Sequence, residues 1–139
     1  MLKPNKTKFL KYHKLRVNLN EHRATSSYQL LYGSHGLQAL ENGILTPQQI
    51  EATRRTLVRN LGQFGKVWIR VFPHFVVTNK PKEVRMGRGK GDFKMYVAKA
   101  CTGFTMFEVT APLKKNCLIA LRKASTKLPI NCQIVRGGL

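Results

Sequence analysis

The sequence predicts an α+β domain, and three observations carry that expectation. Two segments, Thr46 to about Phe64 and roughly Pro112–Lys127, place apolar residues at helical spacing. Several shorter runs alternate along their length as strands do. No linker composition and no internal repeat divides the 139 residues, a length that suits one domain with a buried core. The expected organisation is a basic N-terminal arm, 1–27, followed by a single domain, 28–139.

The arm holds Lys3, Lys6, Lys8, Lys11, Lys14, Arg16 and Arg23 against one acid, Glu21, with Phe9, Tyr12, Leu15 and Val17 interleaved. Chain termini order only when something ties them down. The regular basic and apolar interleaving predicts an arm that orders on RNA, with Phe9 and Tyr12 packing on the domain or stacking on bases. Short strands are expected around Tyr28–Tyr32 and Leu37–Leu40, and Asn42-Gly43 is a turn signal.

The first helix has the clearest start. Thr46 is an N-cap, Pro47 takes the first helical position, and Gln49 completes a capping box. Ile50, Thr53, Leu57, Leu61 and Phe64 form its inward stripe, Arg54, Arg55 and Arg59 fall largely off it, and Gly62 and Gly65 mark the end. Lys66–Phe72 (KVWIRVF) reads as a strand apolar on both faces, hence central in its sheet, stopped by Pro73 and followed by a short strand at Val76–Thr78. After a charged, glycine-rich loop over 79–92, Phe93–Cys101 and Phe104–Val109 read as a hairpin joined across Thr102-Gly103. Leu113, Cys117, Ala120, Leu121, Ala124 and Leu128 stripe the second helix. Lys114, Lys115, Arg122 and Lys123 lie mainly outside that stripe, and Ile130, Cys132 and Ile134 alternate as a last strand.

Charge restricts the partners. Lys and Arg number 25 against 6 Asp and Glu, a formal +19. A compact domain so charged repels itself unless a polyanion neutralises it, which points first to nucleic acid and second to an anionic membrane surface. No apolar run reaches the roughly eighteen residues of a membrane span. Cys101, Cys117 and Cys132 lack a Cys-x-x-Cys spacing and are expected to be reduced thiols. His13, His22, His35 and His74 stand apart, and the acids Glu21, Glu41, Glu51, Glu83, Asp92 and Glu108 are scattered. No metal, no cofactor and no enzymatic activity is expected. A small RNA-modifying enzyme would need an acid, thiol or cofactor loop that the sequence does not display.

Gly87, Gly89 and Gly91 alternate with Arg88 and Lys90. A P-loop needs a Gly-Lys-Ser/Thr ending, and a dinucleotide fold needs a helix after its glycines; neither is here. Glycine lets backbone approach another surface closely and adopt positive φ, while the cations sit at the point of approach. That combination suits a phosphate backbone without selecting a sequence. The expected RNA-binding residues are Lys3, Lys6, Lys8, Lys11, Lys14 and Arg16 on the arm, Arg54, Arg55 and Arg59 on the helix, and Arg70, Lys80 and Lys82 beyond it.

Five segments together, MLKPNKTKFLKYHK, TPQQIEATRR, KVWIRVFP, KPKEVRMGRGKG and the late KLPI, resemble the bacterial-type large-subunit ribosomal protein L-sixteen family in order and over essentially the whole chain. The resemblance implies two helices packed on a mostly antiparallel sheet and a structural, RNA-bound protein of the large ribosomal subunit. It implies contact with large-subunit ribosomal RNA, with neighbouring ribosomal proteins and with aminoacyl-site tRNA, and neither a membrane nor a self-oligomer. By resemblance, Arg85, Met86, Gly87, Arg88, Gly89, Lys90 and Gly91 form a loop that reaches toward the peptidyl transferase region and aminoacyl-tRNA. Departures occur at His74-Phe75-Val76, at Met95-Tyr96-Val97-Ala98, at Phe107-Glu108-Val109 and across residues 18–28, where a usually Arg/Gly-rich stretch is replaced. Because the likeness begins at Met1, no presequence is expected. The drift from the bacterial pattern and the three cysteines favour a mitochondrial ribosome, with bacterial cytoplasm or chloroplast as alternatives.

Overall fold

Seven strands and two helices occupy the described residues, 2–13 and 23–137, of a computed structural model. In chain order they are β1 (His35–Ala39), β2 (Gly43–Leu45), α1 (Pro47–Leu61), β3 (Lys66–Ile69), β4 (Phe75–Asn79), β5 (Asp92–Ala100), β6 (Thr105–Thr110), α2 (Lys114–Ser125) and β7 (Cys132–Arg136). The fold is α+β. Its antiparallel strands are divided between a four-stranded sheet, β3-β6-β1-β7, and a three-stranded one, β2-β5-β4. Both helices pack on the four-stranded sheet and on each other. Leu37, Phe107 and Val109 from that sheet meet Ile50, Leu57 and Leu61 of α1 and Ala120, Leu121 and Ala124 of α2. Each large side chain so buried contributes about 1.5–3 kcal/mol.

Local chemistry accounts for α1. The Gln49 N–H donates to Thr46 Oγ1 at 3.3 Å, and the Thr46 N–H donates to Gln49 Oε1 at 2.9 Å. Two amides that a helix start leaves orphaned are thereby satisfied. The helix closes at Gly62, whose φ of 74° with a ψ of −165° is a positive-φ conformation that glycine adopts without steric cost. Phe64 was expected in the inward stripe but lies beyond this cap and is exposed, because the helical period stops at Gly62. Thr46→Ala should cost about 1 kcal/mol, read as a melting temperature roughly 3–6 °C lower. An unchanged melting curve would mean the cap adds nothing.

Helix α2 starts later than its apolar pattern suggests. Leu113 is the N-cap residue and is exposed, so the inward stripe begins at Cys117. Lys114 and Lys115 stand at the positive end of the helix dipole, which opposes them, whereas Arg122 and Lys123 in the last turn are favoured by it.

Three strand expectations are corrected. Residues Tyr28–Tyr32 form no strand, because their backbone donors are taken by a side chain. Leu31, Tyr32 and Gly33 N–H groups donate to the Glu108 carboxylate at 2.7–3.2 Å. Strand β3 is an edge strand, not a central one, and ends at Ile69. Its second face is apolar because Tyr32 stacks on Trp68, with ring centroids 6.2 Å apart, and not because a further strand lies beside it. The segments β5 and β6 are adjacent in sequence but belong to different sheets. Between them the Thr102 N–H donates to Asn42 Oδ1 at 2.6 Å, and the Gly103 N–H donates to the Ala39 carbonyl at 2.8 Å. These bonds seat the connection on the end of β1 and carry the chain across, so no hairpin forms.

Candidate nucleic-acid interface

The glycine-basic segment is the tip between β4 and β5. Every residue from Pro81 to Lys90 is exposed. Gly87, Arg88 and Gly89 have successive φ values of 110°, 53° and 85°. A Cβ on Gly87 or Gly89 would meet nothing within 4 Å, so conformation rather than crowding requires glycine there. Gly91 differs: its Cβ would lie 2.4 Å from the Asn79 carbonyl oxygen, so the loop base closes against β4. The Lys80 ammonium donates to the Gly87 carbonyl at 2.7 Å and folds the tip back. Arg85, Met86 and Arg88 are exposed around it, Met86 almost completely.

Part of the arm is brought to this loop. Lys11 Nζ lies 3.3 Å from Asp92 Oδ1 and 3.5 Å from the Lys90 carbonyl oxygen. Thr7 Oγ1 shares a hydrogen bond of 3.1 Å with Tyr96 Oη on β5, and Leu2 packs against the core. Lys3, Lys6 and Lys8 remain exposed, and Phe9 and Tyr12 are about half exposed. Lys14 and Arg16 lie outside the described residues.

On α1 the three arginines are not equivalent. Arg54 donates from Nε and Nη2 to Glu51 at 2.9 and 2.7 Å, and Arg55 Nε donates to the same carboxylate at 3.0 Å. The Arg54 and then the Arg55 hydrogen bonds hold the Glu51 carboxyl down at about 2. Arg59 is exposed, as is most of the Arg55 side chain.

Arg70 serves a different purpose from the phosphate contact expected of it. Its guanidinium is buried, donates to Glu108 at 2.7 Å and also bonds the Gln29 carbonyl. Burial pushes the Glu108 carboxyl up, but the amides of Gly33, Tyr32 and Leu31 and the Arg70 guanidinium outweigh burial and hold it below the ordinary carboxylate value. Glu108 is fully buried, and the sequence contained a signal for it: an acid inside the apolar run Met106–Val109 of a chain poor in acids.

Among the described residues no group of three or more His, Cys, Asp or Glu side chains could hold a metal ion. The three cysteines are free thiols. Burial raises Cys117, and burial with Glu41 raises Cys132 to about 11, so neither supplies a thiolate nucleophile at neutral pH. Burial, with Arg136 and Lys114, lowers His35 and leaves its ring neutral at pH 7. No helix among the described residues is long and apolar enough to cross a membrane. What the arrangement offers chemically is a set of exposed cations on the arm, the α1 face and a backbone-rich loop tip.

The family profile described as ribosomal protein L16p/L10e matches residues 4–135. Similar proteins include the large ribosomal subunit protein uL16 of Spiroplasma kunkelii, 43% identical over 138 residues that cover 99% of this chain and 98% of that one. The protein of the same name from Sulfurihydrogenibium sp. (strain YO3AOP1) is 46% identical over 137 residues, 99% of this chain and 97% of its own. That of Maricaulis maris (strain MCS10) is 42% identical over 135 residues, 97% and 96% of the two chains. With a match of this extent the chain belongs to the ribosomal protein L16p/L10e family, and that membership makes it a structural ribosomal protein and not an enzyme.

Proposed function

We propose that this chain is a constituent of the large ribosomal subunit that binds large-subunit ribosomal RNA through its arm, the α1 face and the loop at Arg85–Gly91, and helps to shape the aminoacyl-tRNA site near the peptidyl transferase centre. The observation that carries the reading is the loop tip. Three consecutive residues hold positive φ, one of them an arginine, for which that conformation costs about 1–2 kcal/mol. The open space over Gly87 and Gly89 admits close approach of a second backbone, and Arg85, Arg88 and Lys90 surround that approach with charge. Arm and loop act as one surface through Lys11. Lys80 and Lys82 extend the basic stretch toward β4, and Arg54 contributes to the α1 face with part of its charge held by Glu51. The compartment we favour is the mitochondrial matrix, on the strength of the departures at 18–28 and 74–76 and of three unpaired cysteines. Fractionation of the tagged chain with bacterial or plastid ribosomes overturns that assignment.

Gly89→Val and Arg85→Ala separate the loop's conformation from its charge. Both variants should melt within a few degrees of the parent, because an exposed tip adds little to stability. Arg85→Ala removes charged hydrogen bonds worth about 1.5–3 kcal/mol, so tRNA binding at the aminoacyl site of reconstituted subunits should weaken by roughly 10–100-fold. Arg85→Lys should be as severe if the planar fork matters and milder if the field alone does. Parental tRNA binding and subunit maturation in all three variants would show the loop to be a passive hairpin tip. A sucrose gradient distinguishes the broader alternative: a free-standing nucleic-acid binder does not co-sediment with large subunits.

A further inference from the structure

The two helices bring together cations that are far apart in the sequence. Between α1 and α2 runs an open groove of about 670 Å³. Arg55 and Arg59 line it from α1, one helical turn apart. Arg122 and Lys123 line it from α2, with Lys127 just beyond the end of that helix. All five are exposed, and no carboxylate lies among the lining residues. Glu51, paired to Arg55, is the nearest acid described on α1. Ala52, Thr56, Asn60 and Thr126, all small or neutral, complete the lining. Lys123 Nζ donates to Asn60 Oδ1 at 3.0 Å, so one cation already reaches across from α2 to α1.

Helix dipoles favour Arg59, Arg122 and Lys123 in last turns, and Arg55, mid-helix, is paired through Nε with Glu51 while most of its side chain stays exposed beside the same groove. Arg59, Arg122, Lys123 and Lys127 face the cleft with no carboxylate among its lining residues, and like charges so placed repel one another unless an anion lies between them. The groove has no aromatic or large aliphatic lining, so it offers no pocket for the apolar anchors on which protein interfaces depend. Two rows of cations flanking a shallow, polar-edged channel match a sugar-phosphate backbone, which is neutralised phosphate by phosphate without its bases being read. Guanidinium forks on both walls match phosphate geometry.

We propose that this groove seats one strand of ribosomal RNA backbone, and that Arg122, Lys123 and Lys127 are phosphate contacts alongside Arg55 and Arg59. The inference rests on the RNA-binding reading above and adds to it a surface that the sequence divides between two distant helices.

The test is the salt dependence of binding to protein-free large-subunit RNA by the full chain. Three variants are compared: the parent, Arg122→Gln/Lys123→Gln/Lys127→Gln, and the control Lys66→Gln/Lys94→Gln/Lys115→Gln, which removes equal charge from exposed positions elsewhere. The groove variant should lower the slope of log affinity against log salt by about 2–3, at roughly 0.7–0.9 per lost contact. The control should lower it by well under 1. Melting curves of all three should coincide, since the altered side chains are exposed. Equal slope losses in both variants, or none in the groove variant while the parent remains salt-dependent, overturn the groove and leave the RNA-binding reading standing. A groove variant with parental RNA affinity that fails to enter large subunits also overturns it and assigns the groove to an acidic protein neighbour. A parent whose affinity is flat in salt overturns the RNA-binding reading itself, and the groove with it.

Discussion

Raising the salt from about 50 to about 200 mM should weaken binding to large-subunit RNA by about 10³–10⁵-fold, the loss expected when some six to ten phosphates are neutralised. The +19 charge sets the scale, but the structure decides which cations count. Arg70 is spent on Glu108, Arg54 largely on Glu51, Lys11 on Asp92, and Lys80 on the Gly87 carbonyl. Those that remain exposed without such a commitment include Lys3, Lys6 and Lys8 on the arm, Arg59 on α1, and Lys82, Arg85, Arg88 and Lys90 on the loop. That supply falls within the range needed, even before the second helix is considered. Filter-binding titrations at several salt concentrations measure the slope directly. An affinity that changes less than tenfold across this interval would mean that few phosphates are contacted and that shape or apolar stacking dominates.

Glu108→Gln should destabilise the fold by about 3–5 kcal/mol, the cost of leaving a buried charge without its partner. The amide removes the negative charge from Arg70 and turns an NH₂ toward donors that need an acceptor. Three backbone N–H groups, from Leu31, Tyr32 and Gly33, then compete for one carbonyl oxygen. The lost bonds are those that hold residues 31–33 against β6, so Tyr32 should leave Trp68 and the Trp68 fluorescence should change. Arg70→Met should cost less, about 1.5–3 kcal/mol, because the carboxylate keeps its three amides. The same group sets an acid limit. Its folded value lies below the ordinary 4.5, so its contribution is complete above about pH 4.5 and disappears as the pH falls through the folded value. Urea unfolding of the parent should therefore weaken progressively below that pH, and Glu108→Gln should show a flatter acid limb. A Glu108→Gln variant within 1 kcal/mol of the parent would show that residues 31–33 hold by other means.

What was legible in the sequence was local. Helix α1 could be read from Thr46, Pro47, Gln49 and Gly62 because capping and period act within a turn or two. The loop at 79–92 could be read because glycine and charge exclude it from a core. Strand partners could not be read. Tyr28–Tyr32 has strand composition, yet its donors find a carboxylate more than seventy residues away. Phe93–Cys101 and Phe104–Val109 have the spacing of a hairpin, yet Asn42 and Ala39 hold the residues between them and send the strands to different sheets.

By itself the sequence determined the family, the α+β class, the strong positive charge and the basic, glycine-rich loop, since each is a matter of residue type and order. Only the tertiary structure decided which cations remain for a partner. Arg70, one residue past the end of β3, alternates in the sequence like any outward residue until Glu108, 38 positions later, closes on it. Arg55 and Lys127 are ordinary surface cations until two helices pack and place them along one groove. Burial and pairing are properties of space, where a charge meets its counter-charge or is left facing solvent, and no local pattern of residues specifies that outcome.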